Sequence, residues 1–241
     1  MRRLLLASLL LAAATGATAR TEKPIKLLEA QAHAAQVREY LAETFAAAAG
    51  SSDPTSLRGK LADYAALPAG AADRVENLIE AARRTLAGGP ATKRTPDAAI
   101  FRLDELADAL FAAVDAAEVS ARGARDSALE REFAEVRARG HLARYHARRI
   151  VAAMHYNLFL RGQRLAELVA ATYAEKDAVT AWRQLTTLPA SKEITEARHA
   201  ELKKLEASYK DLEDQCCPPD EAIMREKVWQ PVRVEKTAKS L

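Results

Sequence analysis

The chain has 241 residues, 36 basic and 33 acidic, with a formal net charge of +3. That near balance argues against a dedicated nucleic-acid binder, whose surface is markedly basic. Aromatic residues make up only 5%, and Ala and Leu carry much of the apolar fraction. Slender helix packing is expected rather than a thick layered core.

Residues 1–19 have the pattern of a secretory signal peptide. Met1-Arg2-Arg3 is a positive start, Leu4 to Ala14 an apolar run, and Ala17-Thr18-Ala19 a small-x-small site cleaved after Ala19. The run is too short to remain as a transmembrane anchor, and no Cys follows it to carry a lipid. The expected setting is periplasmic or extracellular. Loss of Arg2 and Arg3 with the leader brings the net charge from +3 to near +1. Cys216 and Cys217 are adjacent and are the only cysteines. With no disulfide framework, helix packing must supply the stability.

Period-two apolar runs are nearly absent, and helical spacing recurs almost everywhere. A first helix is predicted over 24–49, with Leu27, Ala34, Val37, Leu41 and Ala48 on one stripe. Gly50 to Pro54 breaks it, with Asp53 as an N-cap and Pro54 at the first helical position. A short second helix carries Leu57, Leu61 and Tyr64 and ends at Pro68 and Gly70. A third carries Val75, Leu78, Ile79, Ala82 and Leu86. It stops at Gly88-Gly89-Pro90, where glycine can take the left-handed cap conformation.

Residues 88–95 read as a linker. Thr95-Pro96 opens a fourth helix, with Ile100, Leu103, Leu110 and Val114 on one side and an end near Ser120–Gly123. Asp126 or Ser127 caps the fifth, and Ser127 and Glu130 have capping-box spacing. Along the fifth, Leu129, Phe133, Val136, Gly140, Ala143, Ala147, Ile150 and Met154 step by fours and threes, the spacing of a bundle seam. Gly140 in mid-helix costs roughly 1 kcal/mol against Ala, which predicts close approach of a neighbouring backbone, or a kink. Arg161-Gly162 ends this helix. A sixth follows over 164–188, with Leu168, Thr172, Val179 and Thr186 inward, and Pro189 stops it. A seventh over 192–215 carries Ile194, Leu202, Leu205, Tyr209 and Leu212. The tail beyond Pro218-Pro219 is expected to be partly ordered around Ile223 and Trp229.

The expectation is an all-α, antiparallel helical bundle of about six to seven helices after a cleaved signal peptide. Its parts are the signal peptide (1–19), an N-terminal helical subdomain (20–89), a main bundle (90–217) and a tail (218–241).

The Arg-rich stretch of the fifth helix is the main candidate for binding. Residues 136–166 hold Arg137, Arg139, Arg144, Arg148, Arg149, Arg161 and Arg164, three histidines and no acid. At about 100° per residue, Arg137, His141, Arg144, Arg148 and His155 share a stripe beside the seam. Guanidinium forks suit carboxylate, sulfate or phosphate, as found on an anionic glycan or lipid headgroup. The competing reading is structural. Asp104, Asp108, Asp115 and Glu118 lie on one flank of the fourth helix, and antiparallel packing would let them meet the Arg stripe. Another envelope protein is a further possible partner; nucleic acid and a mature transmembrane anchor are not expected.

Other chemistry is thinly signalled. His141 and His146 point apart on a helix, and no His-x-x-x-His pair marks a metal site. No haem attachment motif occurs. No cofactor is expected. Cys216 and Cys217 are redox candidates, with one thiol packed at a helix end, an intermolecular disulfide or soft-metal ligation as the readings. Glu175/Asp177 and Asp211/Glu213 read as surface carboxylates rather than an acid/base pair in a cleft. An exported, non-catalytic binding or structural protein is expected, with an enzyme assembled from distant helices, or a metal- or haem-binding bundle, as the alternatives.

Ala143 to Arg149 through Phe159-Leu160-Arg161-Gly162, with Ala178 to Trp182, resembles helical segments near the ends of large secreted carbohydrate-active proteins. The resemblance includes no motif of known role, so it implies a glycan-associated setting and no catalytic residue.

Overall fold

A computed structural model describes residues 26–44, 61–65, 76–121 and 126–216, and these are helical apart from short connections. The signal peptide, Ala48, the Gly50–Pro54 break, Leu57, Pro68, Gly70, Val75, Cys217 and the tail lie outside the described residues. Helix α1 comprises residues 26–44. It is followed by α2 (Leu61–Ala65), α3 (Leu78–Ala87), α4 (Pro96–Ser120), α5 (Ser127–Gly162), α6 (Leu165–Thr186) and α7 (Lys192–Cys216).

Local chemistry sets the ends. Asn77 caps α3 by accepting from the Glu80 N–H at 2.7 Å, and Gly88 closes it in the left-handed region at φ 66°. Thr95 accepts from the Ala98 N–H at 3.3 Å, ahead of Pro96 at the first helical position. Asp126 caps α5 through the Ala128 and Leu129 N–H groups at 3.0 and 2.8 Å. Asp126 therefore takes the role, and the Ser127/Glu130 capping box does not form. Gln163, at φ 52°, ends α5 without a glycine.

Helix α5 is the hub: α2, α3, α4 and α6 pack against it, and α7 packs on α6. Its middle is enclosed except along the edge of Arg144 and Arg148, which are exposed and half-buried. Tyr145, His146, Ala147, Arg149 and Ile150 are all buried, a wider inward arc than a one-sided surface helix has. Leu103, Leu110 and Val114 of α4 and Leu168 and Val179 of α6 fill the core as their spacing predicts. Three expected inward residues differ. Leu86 and Ile194 are exposed, and Thr186 is half-buried, bonding to the Arg183 carbonyl at 2.7 Å. Trp182 and Leu185 take the inward positions at the end of α6.

Gly140 lies against a side chain rather than a neighbouring backbone. A Cβ there would sit 2.7 Å from Cζ of Phe111 on α4. The glycine makes room for the ring, and α5 continues as one helix through it.

Candidate functional site

The α4–α5 contact brings the two predicted charge stripes together. Asp104 pairs with Arg148 at 3.1 Å, Asp108 with Arg144 at 2.5 Å, and Asp115 with Arg137 at 2.5 Å. Glu118 adds a second carboxylate on Arg137 at 3.0 Å. Each step along α4 is matched by an equal step back along α5, the signature of antiparallel helices in one register. Phe111 fills the place between the charged rungs. Its ring lies 4.9 Å from that of His141, with the Arg144 guanidinium 5.0 Å from its centre.

Three of the five candidate ligand-binding residues, Arg137, Arg144 and Arg148, thus face carboxylates of their own chain. Burial opposes the charge on Arg137, but its hydrogen bonds to the Glu118 and Asp115 carboxylates hold its pKa above the ordinary value. His141 is in the same row but is not a cation near neutrality. Burial, with Arg144 and Arg137 beside it, lowers its pKa to about 4. His155 is turned towards α6, with Nδ1 2.8 Å from the Glu167 carboxylate. At the end of α7, Cys216 is buried and its Sγ lies 3.7 Å from the Glu213 carbonyl; Cys217 lies outside the described residues.

A second arginine–carboxylate system sits inside the molecule. Arg149 hydrogen-bonds Glu175 of α6, and both side chains are 0% exposed. This overturns the reading of Glu175 as surface charge; Asp177 and Asp211 are exposed as expected. Burial pulls against the charged Arg149, yet Tyr145 and Glu175 outweigh it and hold the guanidinium protonated. Burial also pushes the Glu175 carboxyl up, against the pull of Arg149 and a Ser208 hydrogen bond. Arginine stays charged in proteins, so Glu175 serves it as the counter-ion.

Aromatic groups surround this pair. The Arg149 guanidinium lies 4.9 Å over the Tyr64 ring of α2 and 5.9 Å over the Tyr145 ring. Tyr64 Oη is 3.2 Å from His146 Nδ1. Burial, then the neighbouring Tyr145, raises the pKa of Tyr64 well above its ordinary value. Tyr145 meets Trp182 edge to face at 4.9 Å, and Trp182 donates to the Arg198 carbonyl at 3.0 Å.

Helix α2 covers the pair and is held by polar contacts from two directions. The Leu61 N–H donates to Ser208 Oγ of α7 at 3.2 Å. Asn157 Nδ2 of α5 donates to the Ala65 carbonyl at 2.9 Å. These two contacts tie the described part of α2 to α5 and α7.

Sequence reading missed this buried centre, though two signals point to it. Arg148 and Arg149 are adjacent, so a helix turns them about 100° apart and they cannot both face α4. Glu175 continues the inward series Leu168, Thr172, Val179 at steps of four, three and four, which places an acid at a core position. Among the described residues, no group of three or more His, Cys, Asp or Glu side chains could hold a metal ion, and no helix is long and apolar enough to cross a membrane.

No family model matches the chain, and no curated protein matches it. Among solved structures, the chain is similar to a GH138 enzyme targeting pectin rhamnogalacturonan II. The likeness covers 58% of this chain and 24% of that one, at 20% identity and a TM-score of 0.42. A likeness of that size establishes neither a family nor an activity.

Proposed function

We propose that this chain is an exported helical-bundle module with a structural or partner-docking role and no catalysis of its own. The α4–α5 ladder supports this reading. Its three guanidiniums face four carboxylates, and a neutral His141 adds no charge, so the row offers no excess of positive charge. Such a ladder contributes register more than affinity, because exposed ion pairs are each worth about 0–1 kcal/mol.

A second reading is engagement of an anionic glycan or lipid headgroup by the same arginines. Arg144 is 45% exposed and its partner Asp108 is 67% exposed, so a sulfate or phosphate can reach the guanidinium. Retention on a panel of sulfated glycans and anionic vesicles, at low and moderate salt, separates the two. The structural reading expects no selective retention. Selective, salt-sensitive retention lost on replacing Arg144 and Arg148 by Gln would establish the anion site instead.

A further inference from the structure

At the end of the bundle where α3 and α5 both terminate, Arg83, Leu86, Ala87, Leu160 and Arg161 line an open groove of about 670 Å³. It is a shallow trough open to solvent rather than an enclosed pocket. Leu86 and Leu160 are 44% and 47% exposed. Single exposed leucines are ordinary, but these two come from different helices and face one space. Leu86 reaches the end of α5, its Cδ2 within ordinary van der Waals distance, 3.4 Å, of a Cβ built at Gly162.

The charges of the groove differ from those of the ladder. No carboxylate lines it among the described residues. Arg83 is exposed and forms no ion pair among the described residues. Arg161 donates to Asn157, to its backbone carbonyl at 3.1 Å and its side-chain Oδ1 at 2.7 Å. Two helix C-termini converge here, each with a partial negative charge of about half a unit. Two full guanidinium charges exceed that, which leaves the groove positive.

We propose that this groove binds a single-chain alkyl carboxylate, with the acyl chain on Leu86, Ala87 and Leu160 and the carboxylate between Arg83 and Arg161. Among the described residues the apolar walls are aliphatic, which suits an unbranched chain. The guanidinium fork suits a carboxylate. The site is separate from the α4–α5 ladder and does not depend on how the ladder is read.

The test is calorimetric titration of the purified protein with monomeric decanoate, with decanol and acetate as the uncharged and chainless arms. Decanoate is expected to bind saturably at one site, with decanol and acetate each at least about tenfold weaker. Arg83→Gln should weaken decanoate by about fivefold or more while leaving the helical circular dichroism unchanged, since Arg83 breaks no ion pair among the described residues. Arg144→Gln should leave decanoate binding intact. Absence of saturable decanoate binding, equal binding of decanol, or unchanged affinity in Arg83→Gln would overturn the proposal.

Discussion

Helix α5 is held by arginine–carboxylate pairs in two places, at the α4 surface and beneath α2, and the two places differ in what surrounds the charges. At the surface, water solvates both partners, so each rung gains little and loses little when broken. Beneath α2, Arg149 and Glu175 are both 0% exposed. There the desolvation penalty is several kcal/mol per ion, and the pair is tolerable only while both members remain. Arginine–carboxylate pairing thus sets register in one region and neutralises a buried charge in the other.

The largest expected effect comes from breaking the inner pair. Glu175→Gln leaves Arg149 buried without its counter-ion and should cost about 3–5 kcal/mol. A shift of the urea midpoint at constant slope measures it. Replacing both residues by apolar ones of similar volume should recover much of that loss.

Next is the glycine on the ladder side. Gly140→Leu should destabilise by about 1–3 kcal/mol through overpacking, because Phe111 already occupies the space. Adding Phe111→Ala should relieve part of the clash. An unchanged midpoint in Gly140→Leu would show that the Phe111 contact is absent in solution.

A pH prediction follows from His141. Its folded pKa, about 4, is below the unfolded value of about 6.5. Between those values the unfolded chain binds more protons, so stability falls as pH falls. The His141 contribution is fully present above about 6.5 and lost progressively towards about 4. The slope of midpoint against pH in that window should flatten in His141→Gln; an identical slope would assign the acid sensitivity to other groups.

The smallest effect is expected at an outer rung. Asp108→Asn should cost about 0–1 kcal/mol, and less at high salt. A loss that is large and salt-independent would make the surface ladder as demanding as the buried pair.

Much of the outer region was legible in the sequence, while the inner region was not. The acid stripe of α4 and the basic stripe of α5 are periodic, so their meeting follows once the helices are antiparallel. The caps at Thr95 and Gly88 follow from local chemistry. The inner centre depends on long-range packing that periodicity does not encode. Tyr64 and Ser208 reach Arg149 and Glu175 only because α2 and α7 converge on that side of the hub. An arginine and a glutamate inside a helix also read by default as solvated. Only the core position of Glu175 contradicts that default, and periodicity alone does not name its partner.

The most direct test is a pair of double-mutant cycles, one on Arg149/Glu175 and one on Arg144/Asp108, read by denaturant unfolding at low and high salt. The account predicts a coupling of about 2–3 kcal/mol, insensitive to salt, for the buried pair. It predicts about 0.2–1 kcal/mol, reduced by salt, for the exposed pair. Equal couplings, or a buried coupling that salt removes, would contradict it.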